Sequence, residues 1–146
     1  MRFMILRKAD RDSEAGKLPS GALLEAMGRY MQEMSQAGVL LAGEGLQASS
    51  KGARVSFVNG RVQVTDGPFP NPGELVAGFC IIEVPSKAAA IEWVKRWPAL
   101  DGGGNVSLEI RQVFEAEDFG AAFTEEQRQR EEAMRAEAAK RSAPKA

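Results

Sequence analysis

Residues 54–64 read Arg-Val-Ser-Phe-Val-Asn-Gly-Arg-Val-Gln-Val (RVSFVNGRVQV), two alternating runs separated by Asn59-Gly60. Asn-Gly supplies both positive-φ positions of a type I′ turn, whose twist suits a two-residue hairpin. Counting outward from the turn pairs Phe57 with Val62 and Val55 with Val64. Those four share one face, and Ser56, Arg61 and Gln63 share the other, so the register is self-consistent.

On the N-terminal side of this hairpin, Arg2–Arg7 (RFMILR) reads as a strand and the polar run Asp10–Lys17 as a loop. From Ser20 the period changes. Leu23, Met27, Tyr30 and Met34, with Leu24 and Met31 beside them, form one apolar stripe of a helix. Ser20 is placed to cap its start, and Gly38 to end it. Half of the stripe is methionine, which suits soft core packing. Val39–Ala42 is a short strand running into a Gly43-Glu44-Gly45 turn. On the C-terminal side, Gly78–Val84 (GFCIIEV) shows little alternation and so reads as a strand buried on both faces. Ser86 caps a second helix with Ala90, Ile91, Val94 and Trp97 on its stripe, stopped by Pro98. Asp101–Asn105 (DGGGN) reads as a flexible loop. In Val106–Val113, Val106, Leu108 and Ile110 point one way while Ser107, Glu109 and Arg111 point the other.

The order β-α-β-(hairpin)-β-α-β predicts an α+β, ferredoxin-like fold: one antiparallel sheet with two helices on one face. The other face needs a cover. Ser107, Glu109 and Arg111 are too polar for a dry core, yet either Cys80 and Ile82 or Phe79 and Ile81 must lie on their side. A mixed face of this kind suits dimerisation around a partly wet cavity. From Thr124 the chain (TEEQRQREEAMRAEAAKR) is a charged helix with Thr124 and Gln127 in capping-box positions. It is either a solvated tail or is anchored, on the body or on a partner, by Phe114, Phe119 and Phe123. The expected division is therefore 1–123 as the folded body and 124–146 as the C-terminal helix or tail.

Composition narrows the chemistry. The 146 residues suffice for one domain with a hydrophobic core. With 19 basic and 20 acidic side chains there is no basic face for direct nucleic-acid binding. The N-terminal apolar run, Phe3–Leu6, is too short for a signal peptide or a membrane span, and a cytoplasmic location is expected. Zero histidines exclude an imidazole base and the usual zinc site, and one cysteine excludes an internal disulfide. Cys80, inside GFCII, reads as a buried inert thiol. No cofactor is called for.

Two carboxylates stand out by their settings. In Thr65–Phe69 (TDGPF), Asp66 has a proline two residues on, which lacks the N–H an aspartate commonly caps. Asp66 must then accept from the Phe69 N–H, find another partner or face solvent. Gly67 leaves it unshielded, and Phe69 is expected to plug the core. The turn is either rigid architecture or a carboxylate held at the mouth of a cleft, ionised beside an arginine or raised in pKa by burial. Glu44, between two glycines, has the same two readings. Neither glycine-rich stretch is a phosphate loop.

The stretches AGEGL, TDGPF, GFCIIEV, AIEWVKRWP and LEIRQVFEAEDFG, in this order and spacing, resemble the DGPF family within the YCII-related superfamily, over roughly Met1–Phe123. The resemblance implies a ferredoxin-like domain that dimerises through its sheets, as in dimeric α/β barrels. It also implies a cleft gathering Glu44, Asp66 and Arg111, and for some relatives a link to sigma-factor regulation. Two departures stand out: Pro70-Asn71-Pro72-Gly73 intervenes after the motif, and PALDGGGN replaces a loop where many relatives carry histidine. The function these readings favour is a homodimeric small-molecule-binding or regulatory module. Its ligand site would comprise Glu44, Asp66, Phe69, Glu109 and Arg111, with Arg111 gripping a small anionic metabolite. The alternatives are a cofactor-free enzyme on a small ring or acidic metabolite with Asp66 or Glu44 as base, and a protein-binding module acting through the C-terminal helix.

Overall fold

The computed structural model describes residues 1–142 and divides into two compact units, Met1–Val113 and the chain from Phe114 onward. In the first unit, β1 (Arg2–Lys8), β2 (Leu40–Gly45), β5 (Val76–Glu83) and β6 (Leu108–Gln112) form an antiparallel sheet in the order β2-β5-β1-β6. Helices α2 (Gly21–Gln36) and α3 (Lys87–Val94) supply the crossovers. This is the ferredoxin-like arrangement. Strands β3 (Ala53–Val58) and β4 (Arg61–Asp66) pair only with each other, as the inserted hairpin.

The caps follow from the sequence. The Ser20 hydroxyl accepts from the Leu23 N–H at 3.1 Å, and the Ser86 hydroxyl from the Ala89 N–H at 3.1 Å. Gly38, at φ +69°, follows Ala37, the residue that caps the C-terminus of α2. Asn59 (φ +49°) and Gly60 (φ +75°) make the I′ turn, and the pairs Phe57–Val62 and Val55–Val64 are as the alternation requires. The core is Phe3, Ile5, Tyr30, Met34, Cys80, Ile82, Val84 and Ala90, with Met27, Met31, Trp93 and Trp97 packed against it.

Three expectations are corrected. Asp10–Lys17 is not all loop: Arg11–Glu14 forms the short helix α1, because Asp10 and Ser13 close a reciprocal capping box. β5 is not buried on both faces. Gly78, Cys80 and Ile82 are buried toward the helices, whereas Phe79 and Ile81 on the opposite face are only half-buried. Asp101–Gly104 is a 3-10 turn, with Asp101 turned inward to 5% exposure, the one buried charged side chain described.

In the second unit, a 3-10 segment over Ala116–Ala122 leads into α4 (Glu125–Ser142). The Thr124–Gln127 capping box is formed, and the ion pairs Arg130–Glu126, Arg135–Glu131 and Arg141–Glu137 run along the helix at i,i+4. Phe119 stacks on Phe114, with centroids 5.0 Å apart, and lies 5.4 Å from Phe123. No helix among the described residues is long and apolar enough to cross a membrane.

Candidate functional site

Strand register decides what the sheet face opposite the helices presents. Pairing of β1 with β5 and β6, and of β2 with β5, lines up Glu44, Phe79, Leu6 and Glu109 in one row. Ala42, Ile81, Met4 and Arg111 form the next row. The sheet face opposite the helices therefore has an apolar centre of Met4, Leu6, Phe79 and Ile81, all half-buried, with Glu44, Glu109 and Arg111 on the two edge strands and Arg2 and Glu83 opposite each other at one end of β1 and β5. The ambiguity in β5 is resolved in favour of Phe79 and Ile81.

Glu44 lies within β2, not in a turn beyond it, and is exposed. It sits three strands from Glu109, roughly 14 Å at the usual interstrand spacing. Arg111 Nη1 donates to Glu109 Oε1 at 3.1 Å, and its side chain is 70% exposed. One chain thus brings Glu109 and Arg111 together and leaves Glu44 on the far edge.

Asp66 and Phe69 are elsewhere. Asp66 ends β4, paired with Ala53, and is exposed. The Phe69 N–H does not serve its carboxylate: it donates to Ser49 Oγ at 2.9 Å. Ser49 Oγ in turn donates to Glu14 Oε2 at 2.5 Å, and the Ser49 N–H donates to Glu14 Oε1 at 3.1 Å. The Gly67 N–H donates to the Gly52 carbonyl at 2.9 Å. A Cβ on Gly67 would fall 1.7 Å from the Ser49 carbonyl oxygen. Gly67 is therefore glycine because the turn presses against the Ser49–Gly52 backbone; leaving Asp66 unshielded is incidental. Phe69 does not plug the core. It is half-buried at the hairpin root, with the Arg54 guanidinium 4.0 Å above its ring.

A model of the YCII-related domain matches residues 1–117. The chain belongs to the YCII-related family. No curated protein matches it. Among solved structures it is similar to 5-chloro-2-hydroxyhydroquinone dehydrochlorinase (TftG) from Burkholderia phenoliruptrix AC1100, in complex with 2,5-dihydroxybenzoquinone. That likeness has 14% identity and a TM-score of 0.40, over 79% of this chain and 96% of the other. Identity that low says nothing about a shared reaction.

Within this YCII-related domain a buried polar cluster went unread in the sequence. Arg7, on the helix side of β1, donates through Nε and Nη2 to both oxygens of Asp101, at 3.2 and 2.6 Å. Its Nη2 also lies 2.8 Å from Asp10 Oδ2, and Nη1 donates to the Lys8 carbonyl at 3.0 Å. Trp97 Nε1 donates to Asp101 Oδ2 at 2.8 Å. Burial works against the Asp101 charge, but Arg7, Trp97 and the Gly102 N–H outweigh it and hold its carboxyl below the usual range. Asp10 is lowered likewise, burial being outweighed by Ser13 and Arg7. With its donors and acceptors engaged, the cluster ties the end of β1 to the 101–104 turn and to α1; its role is positioning. Sequence offered one cue, an aspartate opening a run of three glycines, each with positive φ.

An open groove of about 390 Å³ between α2 and the end of α3 is lined by Ala26, Arg29, Tyr30, Glu33, Arg96 and Pro98. It contains none of the candidate residues. Its charges are already engaged, Arg96 with Glu33 and over the Trp93 ring, while the Tyr30 hydroxyl donates to the Trp93 carbonyl.

Proposed function

We propose that this YCII-related chain is a homodimeric small-molecule-binding module whose site forms only between two copies. One observation carries the reading. The sheet face opposite the helices is apolar at its centre, and its candidate charges stand on opposite edge strands, Glu44 on β2 and the Glu109–Arg111 pair on β6. Stacking two such faces removes Met4, Leu6, Phe79 and Ile81 from water, which is favourable by about 25 cal/mol per Å². Two kinds of two-fold axis can lie between stacked sheets. An axis across the strands sets β2 over β2 and keeps Glu44 remote from Arg111. An axis along the strands sets β2 over β6, so that Glu44 faces the Glu109–Arg111 pair of the second copy. The second arrangement gathers the polar groups into a cleft, and it is the one we propose.

In that cleft Arg111 grips the anionic end of a small metabolite. Only one of its five N–H donors is used by Glu109, and a guanidinium fits a carboxylate or phosphate bidentately. Glu44 accepts from a hydroxyl or amine at the ligand's other end. Asp66 and Phe69 lie off this rim and have no ligand role in it.

The test has two stages. Sedimentation of wild type against Ile81→Glu asks whether the sheet face associates; a charge at the centre of that face should leave a monomer. A thermal-shift screen with small mono- and dicarboxylates, aromatic acids and inorganic phosphate then seeks a ligand that Arg111→Gln abolishes. Saturation at a hundred times Kd adds about 2.7 kcal/mol, a shift of many degrees for a unit of this size. Mixing Glu44→Gln with Arg111→Gln protein should restore binding in the heterodimer, which holds one intact composite site. No restoration with mixed dimers formed would place both groups in a single-chain site and overturn the arrangement.

A further inference from the structure

The hairpin arm presents a second unexplained apolar surface. On its face, Val55, Phe57, Val62 and Val64 are 57%, 74%, 59% and 66% exposed, and they lie in two directly opposed pairs. The alternation continues to the root, where Ala53 and Asp66 face the same way. Among the described residues, the arm's hydrogen bonds and ring contact to the body lie at that root: the Gly67–Gly52 and Phe69–Ser49 hydrogen bonds and Arg54 over the Phe69 ring. An isolated two-stranded hairpin is marginal in water, and one bearing four bare apolar side chains calls for a cover.

We infer that the apolar face of the arm packs on a second copy of this chain. The inference rests on the sheet-face dimer proposed above, and area is what points to it. Specific interfaces bury about 800 Å² per partner. Four side chains already half-covered by their own chain fall well short of that. With side-chain areas on the order of 150–200 Å², the exposures on the arm supply roughly 400 Å² more. The arm's arginines, Arg54 and Arg61, lie on its other face, so the strip itself carries one charge, Asp66 at the root. Contact with the strip sets Asp66 at the border of the interface.

Phe57→Ser and Val62→Thr change exposed side chains outside the core cluster, so the body should keep its fold, checked by circular dichroism and melting. Equilibrium sedimentation of the full chain should show the dimer Kd raised by at least about 100-fold in the double variant, near 2.7 kcal/mol. Amide exchange over residues 54–64 should be slow in the wild-type dimer and fast in the variant. If the double variant dimerises within threefold of wild type while Ile81→Glu is monomeric, the sheet reading stands and the arm inference is wrong. If Ile81→Glu still dimerises and the arm variant does not, the arm carries the interface alone and the sheet reading falls. A wild-type chain that stays monomeric at high micromolar concentration overturns both.

Discussion

Gly67→Ala tests whether the TDGPF turn is architecture. The new Cβ would meet the Ser49 carbonyl oxygen at 1.7 Å and its carbon at 2.6 Å, against a floor near 3.0 Å. The obstacle is backbone, so a side chain cannot swing aside; the two segments must part by at least about 1.3 Å. That motion stretches the 2.9 Å bonds from Gly67 N–H to Gly52 and from Phe69 N–H to Ser49 beyond hydrogen-bonding range. Each is worth about 1 kcal/mol net, and a half-buried group left unpaired costs somewhat more. Together with the loosened Arg54–Phe69 contact, the loss should reach roughly 2–4 kcal/mol. For a unit the length of Met1–Val113, at about 4 °C per kcal/mol, the melting point should fall by about 8–15 °C. Differential scanning calorimetry on wild type, Gly67→Ala and Asp66→Asn reads this directly. Asp66 is exposed, so Asp66→Asn should stay within about 2 °C. A Gly67→Ala protein melting within 2 °C of wild type would refute the close approach as the reason for glycine.

Asp101→Asn strips Arg7 of its doubly bonded partner in a buried site, and should cost about 3 kcal/mol by urea denaturation. Because the Asp101 carboxyl is held below its ordinary value, it contributes stability above the unfolded pKa, near 3.8, and loses it as pH falls through the lower folded value. The acid limb of the wild-type stability curve should accordingly flatten below about pH 4 in Asp101→Asn. Tyr30, the one tyrosine, has its phenol pushed up to about 12, chiefly by burial. Its raised value stabilises the fold fully below pH 10 and progressively less as pH rises toward 12, so a spectrophotometric titration near 295 nm should show the tyrosinate appearing only with unfolding. Burial likewise pushes the Cys80 thiol up to about 11, and a thiol reagent at neutral pH should label the chain only once urea unfolds it.

The fold was legible because its signals are local. Asn59-Gly60 sets a turn that two alternating runs confirm, and Ser20 and Ser86 cap helices whose stripes then face the sheet. Sheet order followed from element order. What stayed hidden depends on residues distant in the chain. Arg7 and Asp101 are 94 positions apart, and nothing at either end shows that one will fold onto the other. Glu14, Ser49 and Phe69 likewise meet only because α1, the 49–51 turn and the motif converge. β5 misled because its apolar residues run unbroken: Cys80 and Ile82 serve the core, while Phe79 and Ile81 lie on the opposite face, where they are half-buried. Continuous apolar sequence marks two apolar faces, but not whether the same molecule covers both.

The motif and the arm explain each other. A hairpin whose strands pair with no other strand among the described residues must take its position from its root, and TDGPF is that root. Gly67 permits backbone contact with Ser49–Gly52, the Phe69 N–H latches onto Ser49, and the Phe69 ring seats Arg54 from the strand opposite. Asp66, also in the motif, is the one polar side chain on the arm's otherwise apolar face. A carboxylate at the end of an exposed apolar strip discourages indiscriminate edge and face pairing while leaving room for a partner that brings a cation to that point. On that argument Asp66→Val should increase association and broaden it beyond the dimer. Sedimentation velocity of that variant therefore separates a specificity role from a ligand role: a clean dimer that has merely lost a ligand would return Asp66 to the site.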